Sequence, residues 1–236
     1  MFVRQPQFRN ASADIQIFNA WSAEDNTTVI QTWNKPPGVS FVYFLLIGGG
    51  GSGNYSSGQG GGSGAVTVWF GCAQTVPDTL QIKVAYGGGS GGVSPQGGGT
   101  TFVYYWNGGA YQTLLRANGG TSTSAASATS ASDFTNSGFY QSVAGQSGSS
   151  SNMSRSTTTF LTGGTRGTNI EANYGYNTYG TVDTPFGGIF QFQPVIVANG
   201  AIGPAPARGG TGCGGGYAAT IKDGIGGDGL VLIASW

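Results

Sequence analysis

The chain has 236 residues, of which 46 are glycine and only 8% are charged; nine basic and nine acidic side chains leave it with no net charge. That length suits a single β-sandwich or barrel with a sizeable core, and 13 Phe, 11 Tyr and 5 Trp supply material for one, the reverse of the charge-rich, aromatic-poor profile of a disordered chain. No basic run is present to neutralise phosphates, which excludes nucleic acid as a partner, and the longest apolar run, Phe41 to Ile47, is too short for membrane insertion.

Residues 1–28 are read as an N-terminal docking segment, with Phe2 to Phe8 as its contact. Its opening residues, MFVRQPQFRNASADIQ, lack the apolar centre of a signal peptide. This predicts synthesis in a host cytoplasm and release without export. Strands are expected at Asp14 to Phe18, Val29 to Trp33, Phe41 to Ile47, Ala65 to Phe70, Thr79 to Ala85, Thr101 to Trp106 and Tyr111 to Ala117. Later ones are expected at Ile189 to Val197, Tyr217 to Ile221 and Gly229 to Ile233. Each is dense in β-branched and aromatic residues and bounded by Gly, Pro, Asn or Asp.

Phe41 to Ile47 and Leu230 to Ile233 are apolar throughout, the pattern of central strands covered on both faces. Gln81 to Val84 alternates polar with apolar, as a half-buried strand does. Asn107-Gly108-Gly109 joins two aromatic strands and predicts a hairpin. Pro194 marks an edge strand or a break. No segment keeps a 3.6-residue apolar period, and the Ser and Thr of Thr121 to Ser132 favour caps and turns. The expected class is all-β, as one domain over 1–236.

Glycine clusters occupy 48–64, 87–99, 119–120, 200–216 and 224–229. They join strands of one core, so flexible linkers would be out of place, and long structureless loops in a compact domain mean that order has been missed. Polyproline II helices make no internal hydrogen bonds, and without side chains they pack backbone to backbone. A small bundle of such helices at one end of the sandwich is the expectation.

WNKPPGV, with Trp33, Lys35, Pro36, Gly38 and Val39, is followed by FVYFLLIGGGGSG, GGGSGAVTVWFGC, LQIKVAYGGGSGG and GGGTTFV, and the chain closes with GGTGCGGGYAAT and GGDGLVLIASW. This order resembles the glycine-rich domain of bacteriophage tail and virion proteins, over roughly 29–120 and 186–236. It is also similar to the glycine-rich extracellular domain of the anaplastic lymphoma kinase family. The resemblance implies a tumour-necrosis-factor-like, jelly-roll-like β-sandwich with polyproline II segments, a virion location, and assembly as a homo-oligomer, a trimer by analogy, beside other virion proteins. Residues 121–185 depart from the pattern and are read as a Ser/Gly/Tyr-rich insertion.

The chain has no histidine, which removes the commonest general base and metal ligand. Glu24-Asp25 is a solvated corner, although two distant carboxylates can still make a glycosidase. The glycine strings lack the following helix of a dinucleotide site, and Asp223-Gly224 and Asp228-Gly229 lack the alternating ligands of a calcium loop. The expectation is a protein that is not an enzyme, with no cofactor and no metal. Cys72 and Cys213 are isolated, read as buried small apolar residues before a disulfide.

Tyrosines on small-residue loops give contact area at low entropic cost. Phe139, Tyr140, Tyr174, Tyr176 and Tyr179 in the insertion are the candidate receptor-binding residues, for a host surface glycan or protein. The competing expectation packs these rings within the loop or against a neighbouring subunit. Two functions follow: a spike or tail-fibre adhesin that recognises the host, or a capsid decoration, cement or tail-wall subunit without receptor binding. A cellular adhesin and an enzyme rank below both.

Overall fold

A computed structural model describes residues 13–20, 30–54, 59–89, 96–148, 211–212, 214–215 and 225–236. Among the described residues the strands are β1 (Asp14–Asn19), β2 (Ile30–Asn34), β3 (Phe41–Ile47), β4 (Val66–Cys72), β5 (Thr79–Lys83), β6 (Thr101–Trp106), β7 (Tyr111–Ala117), β8 (Gly138–Val143) and β9 (Leu230–Ser235). They form two antiparallel sheets in the orders β1-β9-β3-β4-β8 and β2-β5-β6-β7. The chain is an all-β, jelly-roll-like β-sandwich. The expected strands at 189–197 and 217–221 lie outside the described residues, as do Pro194 and Phe2 to Phe8.

Period-two alternation sends one set of side chains from each sheet into a shared core. Val42, Phe44, Leu46, Trp69, Val231 and Ile233 face Trp33, Leu80, Ile82, Val103, Leu114 and Leu115. Trp33 meets Phe44 edge-on with ring centroids 6.1 Å apart, tying one sheet to the other. The two consecutive leucines of β7 both reach the core because a bulge opposite Val103 and Tyr104 shifts the register there. β3 and β9 do lie inside their sheet, and their other face carries a second buried cluster with Leu45, Ile47, Val66, Val68 and Leu232. In the predicted hairpin, Asn107 Oδ1 accepts from Gly109 and Ala110 N–H at 3.1 and 2.9 Å, and Gly108 has φ +96°.

The WNKPPGV turn has a structural task. Lys35 Nζ donates to the carbonyls of Ala73 and Val76 at 3.1 and 2.8 Å and pairs with Asp78 Oδ1 at 2.8 Å. It thereby pins the 3₁₀ turn Ala73–Thr75 to the end of β2.

At the other end of the sandwich the glycine tracts make an ordered bundle. Gly48 and Gly51 donate to segment 59–65, Gly49 and Ser52 to segment 96–100, and Gly50 to Gly227. Partners recur every third residue, which is the turn length of a polyproline II helix bonded only to its neighbours. Segment 48–52 also accepts from Gly88, Gly120 and Gly215. Its neighbours are thus 59–65, Gly212 with Gly215, 225–229, 85–89, 96–100 and 118–121, and these bond to one another in that order to close a ring. A Cβ on Gly48, Gly51, Gly61, Gly62, Gly98, Gly120 or Gly226 would collide with a neighbouring backbone carbonyl. Glycine is required there for close approach of backbones.

Candidate functional site

β8 was not expected; its residues fall within the range read as an insertion. It pairs with β4 from Val66↔Val143 to Gly71↔Gly138 and forms an edge of the five-stranded sheet. Adjacent residues of a strand point to opposite faces, so Phe139 and Tyr140 are separated. Phe139 is 52% exposed on the outer face, opposite Phe70. Phe70 stacks on Trp236 and Phe41, with centroids 5.7 Å away in each case. Ile15 and Ile17 are exposed on the same face, opposite Ala234 and Leu232, so the face is apolar from one edge to the other.

Tyr140 turns inward and packs against the main core. Its hydroxyl donates to Thr129 O at 2.9 Å and lies 2.6 Å from Thr129 Oγ1, while Thr129 Oγ1 is 3.0 Å from Ser142 Oγ. The ring next to it, Phe134, stacks on Trp69 at 4.7 Å. Of the two described candidates, Phe139 is exposed on the sheet face and Tyr140 is a tether. Tyr174, Tyr176 and Tyr179 lie outside the described residues. Cys213 does too, and Cys72 is exposed and unbridged where a buried residue was expected: it ends β4, with its side chain past the core.

Between β7 and the 129–135 segment runs a groove of about 280 Å³, lined by Arg116, Thr113, Thr129, Ser132, Thr135 and Tyr140 among others. Hydroxyls can hydrogen-bond a polar ligand there, but the lining contains no carboxylate and no nucleophile paired with a base. Among the described residues no group of three or more His, Cys, Asp and Glu is placed to hold a metal ion, and no helix is long and apolar enough to cross a membrane. Burial pushes the Tyr43 hydroxyl up to about 12 and raises Tyr104 in the same direction, so both stay neutral hydrogen-bonding groups.

The glycine bundle holds the ends of the chain segments that leave it. Asn54 and Gln59 bridge each other through both backbone N–H groups, at 2.8 and 3.1 Å, closing the base of 55–58. Ser52 Oγ accepts from Gln96 N–H at 2.8 Å, fixing the return of 90–95. The outward aromatics of β6 and β7, Trp106 and Tyr111, are 56% and 57% exposed; sequence reasoning assigned them only to strands. Their signal was the aromatic series at Phe102, Tyr104 and Trp106, a spacing that puts all three on one face.

No curated protein matches the chain. A family model described as a glycine-rich domain matches residues 24–236, spanning β2 to β9, the glycine bundle and the range 121–185 alike and leaving out β1. With the bundle and all of the sandwich but β1 inside that match, the chain belongs to the glycine-rich domain family.

Proposed function

We propose that this chain is a non-enzymatic structural protein on the surface of a bacteriophage or related virus, acting as a spike- or tail-fibre-type component that recognises the host. The observation that carries this reading is the glycine bundle: its six-neighbour backbone packing, joined by the Ser52 hydroxyl at Gln96, fixes the bases of 55–58 and 90–95. A scaffold of that kind can present variable recognition loops on a rigid base. The order of strands and glycine clusters, similar to that of phage tail and virion proteins, supports the virion setting of this reading. The partners are other copies of the chain, as a trimer by analogy, neighbouring virion proteins, and a host surface glycan or protein; no cofactor enters.

Replacing Tyr174, Tyr176 and Tyr179 together by Ala is expected to abolish particle adsorption to cells while particles still assemble. Gold-labelled antibody should place the chain at a tail or spike tip. Wild-type adsorption by the triple variant would refute host recognition through these residues.

One observation favours a second reading, a decoration or cement subunit. Phe41, Trp236, Phe139, Ile15 and Ile17 are exposed on an apolar face of a chain without net charge, which suits burial against a neighbour. Under that reading Phe139→Asp makes particles fall apart and leaves adsorption of the survivors unchanged.

A further inference from the structure

The outer face of the four-stranded sheet combines open aromatic rings with two cations, Lys83 and Arg116, that form no ion pair among the described residues. Register puts Lys83, Phe102 and Arg116 in one row across β5, β6 and β7. Gln81 and Tyr104 follow in the next row, and Trp106 and Tyr111 in the last. β6 therefore shows an aromatic ring at every second position over a length of about 13 Å. Phe102 and Tyr104 stack with centroids 5.1 Å apart and planes at 15°, making a firm column. Trp106 and Tyr111 meet edge-on at 5.1 Å and 66°, and with more than half of each exposed their ring faces remain open.

Exposed large aromatics on a sheet face cost solubility and mark a contact surface. Charge distinguishes this face from the apolar face of the other sheet. Lys83 Nζ sits 5.9 Å from the Phe102 centroid and Arg116 is exposed on the other side of that ring. No carboxylate shares their rows; among the described residues the ion pair is Lys35 with Asp78, elsewhere on the sandwich. A ligand for this surface needs flat apolar patches to cover the indole, hydroxyls for Gln81 and the Tyr104 phenol, and anionic groups for the two cations.

We propose that this face binds an acidic polysaccharide, with pyranose rings packed on Trp106 and Tyr111 and their carboxylates paired with Arg116 and Lys83. The C–H face of a pyranose is apolar and flat enough to cover an indole, while its equatorial hydroxyls point sideways to amides and phenols. Guanidinium binds carboxylate through two parallel hydrogen bonds, and the row spacing lets one sugar lie on Trp106 while another reaches the cations. The site includes no residue of the loops invoked above, so its test is independent of whether those loops recognise a host.

The test titrates the full chain with polygalacturonate and, separately, with neutral dextran, following tryptophan fluorescence and retardation in polyuronate-containing native gels. Polygalacturonate is expected to bind and dextran to bind at least tenfold more weakly. Trp106→Ala should weaken polyuronate binding about tenfold, and Lys83→Gln with Arg116→Gln should both weaken it and flatten its salt dependence. These substitutions sit on the surface, so unchanged circular dichroism will show that the fold is kept, and Trp106→Phe should retain part of the affinity. Absence of polyuronate binding, binding that survives Trp106→Ala, or equal binding of dextran overturns the proposal. Self-association abolished by Trp106→Ala would give the face to a second copy of the chain, and overturns it as well.

Discussion

Substituting Gly51 by alanine separates a load-carrying glycine bundle from a flexible spacer, because the two predict opposite signs. In a spacer, Gly→Ala lowers the entropy of the unfolded chain and stabilises by about 0.4–1 kcal/mol. In the bundle the new Cβ would overlap the Thr121 carbonyl, and no rotamer change relieves a clash between two backbones. Segments 48–52 and 118–121 must part. That disturbs Gly51 N–H to Gly62 O at 2.8 Å, Gly62 N–H to Thr121 O at 2.9 Å and Gly215 N–H to Gly51 O at 2.9 Å. Each buried group left unpaired costs about 1–3 kcal/mol, so one lost partner at each of the three bonds gives an expected loss of about 3–9 kcal/mol, a large share of the stability of an ordinary domain. Gly109→Ala is the matched control: the nearest atom to its added Cβ is Asn107 Oδ1 at 3.9 Å, and its effect should stay within about 0.5 kcal/mol. Urea unfolding followed by tryptophan fluorescence reads both. A Gly51→Ala midpoint equal to or above that of the parent refutes the ordered bundle; failure of that variant alone to accumulate as folded protein agrees with it.

Thr101→Val should cost about 2–4 kcal/mol in the same assay, because the buried Thr101 hydroxyl donates to Ile47 O at 2.7 Å and accepts from Ala85 N–H at 3.1 Å, and valine strands both groups. Lys35→Met keeps the apolar stem and removes three contacts of the ammonium; a loss of about 1–3 kcal/mol is expected, with faster proteolysis near Ala73–Thr75 as the second readout. Burial raises the Tyr43 hydroxyl from 10.0 to about 12 in the folded chain, so above pH 10 the unfolded state releases this proton first. The stability it contributes is present in full below pH 10 and is lost as pH rises through about 12. Tyr43→Phe should make the alkaline unfolding curve less steep; identical curves would dismiss the effect.

The strands that sequence revealed are those whose side chains carry a strong period. β3 and β9 announced themselves as uninterrupted apolar runs and lie inside their sheet, and Gln81 to Val84 shows the expected alternation of half-buried and buried residues. β8 was overlooked because it bonds to one neighbour only and has no fully buried residue, which leaves its pattern weak. Gly138 at its start and Gly145 just past its end were the available signal. The aromatic pair Phe139-Tyr140 looked like one loop-borne contact surface; only the pleat, which needs a partner strand to exist, divides it into an exposed ring and an anchored one. The polyproline II bundle was legible as a principle, since chains without side chains bond to neighbours. Which tract would sit at its centre depends on the connectivity of the sandwich, and local composition holds no record of that.

Sheets resist force along one plane of hydrogen bonds, whereas segment 48–52 is gripped from six sides. Tension applied to any loop rooted in the bundle is therefore shared among several strands of the sandwich at once, instead of peeling a single edge. The most yielding residue, gathered closely enough, becomes the stiffest joint.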